Sequence, residues 1–74
     1  MKPIPMLEPM TSREIEIVEY LLAGKCNKEI AKSLQRSVSC IKQNVSSVLK
    51  KMGVETRTQA VTLTNLVRSI VNKE

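Results

Sequence analysis

The sequence contains no His, Asp, Phe or Trp, and it has a single Tyr. Without His, a Cys/His zinc site and His-based acid–base catalysis are both excluded, and Glu alone remains as a carboxylate base. We therefore expect no enzyme activity, no metal site and no cofactor. Because aromatic side chains are nearly absent, the core must be aliphatic.

Cysteine and long apolar runs are also scarce. Cys26 and Cys40 are too few for a disulfide framework, so two reduced thiols are favoured, with a redox-sensing disulfide as the alternative. No apolar run approaches the ~20 residues that span a bilayer. Three Pro and one Lys in the first ten residues are unlike a signal peptide. These features predict one small cytoplasmic domain of 74 residues.

The charge is unevenly distributed along the chain. Residues 25–54 hold seven Lys or Arg and one Glu, a net charge of +6 in a chain whose total is +5. Residues 1–24 hold two basic and four acidic residues, a net charge of −2. A concentration of positive charge in one segment is typical of proteins that bind a polyanion.

Capping signals and apolar spacing predict a compact all-α domain of four helices, at about 12–23, 27–35, 38–52 and 57–71. Residues 1–10, which include all three Pro, are expected to form a flexible arm or linker before a domain at 11–74. The expected helix starts are a Thr11–Glu14 capping box, Asn27, Ser37 and a Thr56–Gln59 capping box. The expected helix ends are Gly24 and Gly53.

The stretch SVSCIKQNVSSVLKK, residues 37–51, is rich in β-branched residues and resembles a strand in composition. Strand alternation fails across residues 45–49, whereas helical spacing places the apolar side chains within about 100° of arc. That stripe consists of Val38, Ile41, Val45, Val48, Leu49 and Met52. The opposite face carries no acid and consists of Ser39, Lys42, Gln43, Ser46, Ser47 and Lys50. We therefore predict a helix with a basic polar face.

A short helix, a turn around Arg36 and Ser37, and a longer helix with an acid-free face are typical of a helix-turn-helix. The second helix is expected to enter the major groove of double-stranded DNA. Base contacts are expected from Lys42, Gln43, Ser46 and Ser39, and phosphate contacts from Lys28, Lys50 and Arg36. The alternative is an ordinary solvated helix face.

Four sequence blocks, in order and at the right spacing, resemble the LuxR-type helix-turn-helix domain of bacterial transcription regulators, also called the GerE or NarL type. The matching residues are Thr11, Arg13, Glu14 and Glu16, then 27–31, then Ser37, Ile41 and Lys42, and finally Lys51, Gly53, Val54 and Arg57. The resemblance covers residues 10 to about 70. It implies DNA binding as a dimer, with Asn44 near phosphate and RNA polymerase as a further candidate partner.

The chain departs from that family pattern at five positions, which are Met10, Arg36, Val38, Cys40 and Asn44. Cys40 and Asn44 stand where Thr and His are usual, which leaves an alternative function open: an interaction or dimerisation module that has lost DNA binding. A sigma-factor-like promoter-reading domain is a further alternative. A basic fourth helix or tail would favour it, but the predicted fourth helix is apolar. The length leaves no room for a receiver or ligand-binding domain, so we expect a stand-alone domain or a fragment.

Two features carry structural expectations. Glu14 lies within the apolar arc of the first helix, so it is expected to serve the capping box or to pair with Lys51 or Arg57.

The fourth helix is apolar over an arc wider than one core stripe requires. Ala60, Thr64, Val67 and Val71 are expected to face the core. Leu63, Leu66 and Ile70 are expected to form a homodimer contact, unless the arm at residues 4–6 covers them.

Overall fold

The computed structural model describes residues 4–71, which form four α-helices and no strand. The helices are α1 (Ser12–Leu22), α2 (Asn27–Leu34), α3 (Val38–Met52) and α4 (Arg57–Val71). The prediction of an all-α, four-helix domain is confirmed. Helices α1 and α2 each end one residue before the expected position, and residues 1–3 of the predicted arm lie outside the described residues.

Side-chain caps begin three of the helices as predicted. At α1, Thr11 Oγ1 accepts from the Glu14 backbone N–H at 3.1 Å, and Glu14 Oε1 accepts from the Thr11 N–H at 2.9 Å. Ser37 Oγ accepts from the Cys40 N–H at the start of α3, at 3.1 Å. The start of α4 has the second predicted capping box, with Thr56–Gln59 distances of 3.1 and 3.2 Å. These bonds satisfy backbone N–H groups that have no partner within the helix.

The start of α2 differs from the prediction. Asn27 was expected to be the N-cap, but the N-cap is Cys26, and Asn27 is the first helical residue. The Glu29 carboxylate accepts from the Cys26 backbone N–H at 3.0 Å. The Asn27 side chain instead accepts a hydrogen bond from Arg57, which lies 30 residues further along the chain. Tertiary packing therefore brings Arg57 to the Asn27 side chain, which local propensity had assigned to capping α2.

Helices α1, α2 and α3 end in the same way, with a residue of positive φ and a backbone bond that closes the last turn. The positive-φ residues are Gly24 (79°), Gln35 (56°) and Gly53 (74°). The closing bonds run from Lys25 N to Tyr20 O at 3.1 Å, from Arg36 N to Ala31 O at 2.9 Å and from Val54 N to Leu49 O at 3.0 Å. Val54 is half-buried against the core, where it supplies the expected apolar contact after α3.

The core is aliphatic, as the composition predicted, and α3 lies at its centre because it packs against the other three helices. Helix α3 contributes Ile41, Val45, Val48 and Met52, which are all buried. The other buried apolar residues are Ile17, Val18, Leu21, Ile30, Ala31 and Ala60. None of the helices within residues 4–71 has the length and hydropathy that crossing a membrane requires.

Burial decreases along α4. Ala60 and Thr64 are buried as expected, but Val71 is 46% exposed, so its assignment to the core was wrong. The last turn of α4 still contacts α1 through Arg68, which pairs with Glu19, but its apolar side chains are exposed. Leu66 is 57% exposed and Ile70 is 66% exposed. The arm therefore does not cover them in the structure, and that alternative was also wrong.

The arm contacts the C-terminal end of α3. The Leu7 N–H donates to the Lys51 carbonyl oxygen at 2.5 Å, and its side chain lies against Gly53, just after α3. Ile4 and Met10 are half-buried against the core. One carbonyl in the last turn of α3 therefore takes its donor from the arm.

Candidate nucleic-acid interface

The junction between α2 and α3 determines how α3 is presented. Gln35 occupies the left-handed region without being Gly or Asn, which costs of the order of 1 kcal/mol. The bond from Arg36 N to Ala31 O closes this turn. Ile30 and Ile41 are fully buried and Ala31 is nearly so, which fixes α2 and α3 against each other. The two helices and their turn thus form a packed helix-turn-helix.

Five residues of α3, spaced at helical intervals, form one exposed surface, here called the polar face of α3. Its members are Ser39, Lys42, Gln43, Ser46 and Lys50. At 100° per residue they fall within about 100° of arc. Four of them are the predicted base-contacting residues, and Lys50 is a predicted phosphate contact. The buried side of α3 holds the helix in place, so these side chains project from a rigid support.

Ser47 does not belong to this face, although the helical wheel assigned it there. It is half-buried, and its hydroxyl donates to Glu14 Oε2 at 2.9 Å. Lys51 Nζ donates to Glu14 Oε1 at 2.7 Å, so both proposed roles of Glu14, cap and ion pair, are present together. Arg57, the other suggested partner of Glu14, bonds elsewhere. Glu14 therefore joins the start of α1 to the second half of α3.

The Glu14 carboxylate is buried yet well satisfied. The Lys51 hydrogen bond, followed by those from the Thr11 backbone and Ser47, lowers the pKa of Glu14 from 4.5 to about 2, against the opposing effect of desolvation. Glu14 is thus ionised across the neutral range. Glu14 forms its ion pair with Lys51, and not with Lys42 or Lys50 of the polar face of α3.

Asn44 lies off the exposed arc of α3. Its side chain is half-buried, and its amide donates to Cys40 Sγ at 3.7 Å, one helical turn earlier. Cys40 is also half-buried, whereas Cys26 is exposed, and both are free thiols. Cys40 and Asn44, two of the five positions that depart from the pattern the sequence resembles, therefore contact each other along one edge of α3.

The predicted phosphate contacts on and after α2 are exposed. Lys28 lies in the first turn of α2, and Arg36 follows the helix end. Lys25 and Lys32 add exposed positive charge on the same segment, although sequence reasoning did not single them out. Glu29 is the one acid of residues 25–54. Its hydrogen bond from the Cys26 backbone lowers its pKa, so it remains ionised as a cap.

As a long-range contact, Arg57 was considered in the sequence only as a partner of Glu14, and its contacts with Lys25 and Asn27 were missed. At the start of α4, its guanidinium donates to the Lys25 carbonyl oxygen at 3.2 Å and to Asn27 Oδ1. It therefore ties the loop before α2 to α4. A capping pattern cannot reveal this contact, because the partners are about 30 residues apart in sequence.

The exposed apolar residues of α4 lie at its C-terminal end. Leu63 is half-buried, Leu66 and Ile70 are exposed, and Val71 adds a further exposed apolar side chain. Nearby, Arg68 Nη2 pairs with Glu19 Oε2 at 2.5 Å and joins α4 to α1. Two of the three predicted dimer residues, Leu66 and Ile70, are thus exposed on one helix, and Leu63 is only partly accessible.

Together, the packed α2–turn–α3 unit, the acid-free polar face and the surrounding exposed cations define a helix-turn-helix domain of the nucleic-acid-binding class. The sequence pattern of the GerE family, described as bacterial regulatory proteins of the luxR family, matches residues 8–64. The chain belongs to this family, and the expected resemblance is confirmed.

Similar proteins are found among bacterial regulators. The chain is 35% identical over 65 residues to the "Putative HTH-type transcriptional regulator YhjB" of Escherichia coli (strain K12), covering 88% of this chain and 32% of that protein. It is 38% identical over 60 residues to the response regulator protein VraR of Staphylococcus aureus (strain Mu3), covering 81% of this chain and 29% of that protein. The VraR of Staphylococcus epidermidis matches equally well. The chain spans about a third of the length of these relatives.

Proposed function

We propose that this chain is a sequence-specific double-stranded DNA-binding domain of a bacterial transcription regulator that acts in the cytoplasm. The observation that carries the proposal is the polar face of α3, which is exposed, free of acid and held by a buried apolar stripe. A helix of this kind fits the major groove, where base edges present a distinct donor and acceptor pattern. Membership of the luxR family supports the same function.

In this proposal the base contacts come from the polar face of α3. Gln43 has both a donor and an acceptor and suits adenine, whereas Lys42 suits the acceptors of guanine. Ser39 and Ser46 are small and allow the helix to seat deeply. Lys28, Lys50 and Arg36 contact backbone phosphates and set affinity and register. Asn44, held by Cys40, contributes a phosphate contact only from the edge of the helix.

The proposed assembly is a homodimer through α4, using Leu63, Leu66 and Ile70, on a site of roughly two-fold symmetry. Exposure of Leu66 and Ile70 at the end of α4 supports this part. The same exposure favours the second candidate function, an interaction module that works through α4 without DNA. RNA polymerase remains a further candidate partner of the whole regulator.

Selection of bound sites from a random duplex pool tests the function. We expect enrichment of a shared half-site, and three phosphate-contacting cations per domain predict a log–log salt slope of about −3 per domain. Gln43→Ala should lower the preference for that half-site by roughly 5- to 150-fold, equivalent to roughly 1–3 kcal/mol, and leave non-specific binding unchanged.

The matched control is Asn65→Ala, which removes an exposed amide from α4 instead of α3. It should leave the enriched half-site and its affinity unchanged. Absence of duplex binding even at low salt would favour the interaction module. An enriched site indifferent to both Gln43 and Lys42 would contradict base readout by α3.

A further inference from the structure

Arg57 links α4, the proposed dimer helix, to the start of α2, where Lys28 is proposed to contact phosphate. It is the first residue of α4, and its guanidinium reaches the Lys25 carbonyl oxygen and Asn27 Oδ1, immediately before and at the start of α2. A guanidinium holds such contacts well because its donors form a rigid planar fork. Both bonds therefore fix the position of one short segment relative to α4.

The other hydrogen bonds of that segment are local, and they include those from the Lys25 N–H to Tyr20 O and from the Cys26 N–H to Glu29. Residues 23–26 are exposed, and the N-cap of α2 is Cys26, whose sulfur is only a weak acceptor. Among the described residues, the bonds from Arg57 are the long-range hydrogen bonds that this segment makes. The first turn of α2 is thus held to the rest of the fold mainly through Arg57 and through Ile30, which is fully buried.

Lys28 follows Asn27 directly and is exposed at the same end of α2. We propose that Arg57 is a positioning residue for DNA binding: through Asn27 it sets where Lys28 meets a backbone phosphate. The proposal rests on the DNA-binding function above. It also makes α4, the proposed dimer helix, a direct support of the helix-turn-helix, since the link begins at the first residue of α4.

The test uses two substitutions that preserve charge. Asn27→Ala removes the acceptor, and Arg57→Lys keeps the cation but loses the planar fork. Binding to duplex DNA is measured against salt for the wild type, for each variant, for Lys28→Ala and for each variant combined with Lys28→Ala. Lys28→Ala should weaken binding several-fold and reduce the salt slope by about one.

If Arg57 acts through Lys28, Asn27→Ala and Arg57→Lys each produce part of that loss, in affinity and in slope. Neither adds a further loss in the Lys28→Ala background, because the contact they position is already gone. A merely structural effect would persist in that background. Independent losses, or no effect of either variant on the salt slope, would overturn the proposal.

Arg68→Lys is the matched control, because Arg68 also lies on α4 and bonds another helix, pairing with Glu19 of α1. Its effect on DNA binding should not depend on Lys28. Circular dichroism checks folding, and Arg57→Lys carries the test if Asn27→Ala fails to fold. A wild type that binds no duplex at low salt contradicts the proposed function itself. Independent losses in a wild type that binds contradict the positioning role alone.

Discussion

At the scale of single residues, Glu14 shows how one side chain serves two levels of structure. It accepts from the Thr11 backbone and begins α1, and it also accepts from Ser47 and Lys51 of α3. A buried carboxylate without such partners would cost several kcal/mol. Here three donors surround it, so the charge is retained and joins two helices.

Glu14 should make stability depend on acid. Its pKa in the folded protein is about 2, below its ordinary value of 4.5, so its contribution is fully present above about pH 4.5. The contribution is lost as the pH falls from about 4.5 to about 2, and it is of the order of 3 kcal/mol. Urea unfolding between pH 7 and pH 2.5, followed by circular dichroism, measures this loss.

Glu14→Gln should be less stable than the wild type at pH 7, and it should lose little further stability over the acid range. Glu16→Gln is the control, because Glu16 makes only an exposed pair with Arg13 at 3.5 Å. Parallel stability curves for the wild type and Glu14→Gln below pH 5 would contradict the assigned role of Glu14.

At the scale of helices, α1 and α3 both end at a glycine of positive φ, but the two glycines have different surroundings. Gly24 and Gly53 both have positive φ. A Cβ at Gly24 would meet nothing within 4 Å, whereas one at Gly53 would lie 2.7 Å from Leu7 Cδ1. The end of α3 is therefore constrained by the arm as well as by backbone conformation.

Gly24→Ala should cost about 1 kcal/mol through its positive φ alone. Gly53→Ala should cost more stability, because the Leu7 side chain must also move. The Leu7 side chain is exposed and can move easily, so this extra cost is small. Urea unfolding of both variants, alone and with Leu7→Ala, separates the two effects. The difference between the two Gly variants should shrink when Leu7 is truncated. A Gly24 variant at least as costly as the Gly53 variant would argue against the arm contact.

At the scale of the whole molecule, two exposed surfaces differ in character. The polar face of α3 is exposed and cationic, whereas the end of α4 exposes Leu66, Ile70 and Val71. The proposed assembly uses the first surface to bind DNA and the second to bind another copy of the chain.

Sedimentation equilibrium should detect association that increases with protein concentration. Leu66→Ser and Ile70→Ser should each weaken it by about tenfold or more, since burying a Leu or Ile side chain is worth roughly 1.5–3 kcal/mol. Met6→Ser serves as the control, because Met6 is 51% exposed but lies on the arm. A chain that stays monomeric up to millimolar concentration would contradict dimerisation through α4 in the isolated domain.

Local signals in the sequence were sufficient for much of the fold. Thr11, Ser37 and Thr56 offer caps to the backbone a few residues away, and Gly24 and Gly53 end helices through their own conformational freedom. Helical periodicity likewise separated most of the apolar stripe of α3 from its polar face, although Val38 is 40% exposed and Ser47 bonds Glu14. These features could be predicted because cause and effect lie within one or two turns of chain.

The remaining features depended on partners that are distant in sequence. A helical wheel places Ser47 on the solvent side of α3, yet Ser47 bonds Glu14, 33 residues earlier. Asn27 likewise accepts a hydrogen bond from Arg57. Gln35 adopts a glycine-like conformation between two helices whose packing is fixed by Ile30 and Ile41. The sequence by itself determined how α1, α3 and α4 begin, how α1 and α3 end, and which sides of the helices are mainly apolar. Only the tertiary structure decided which polar side chains remain free for a ligand, because that depends on donors and acceptors brought together by packing.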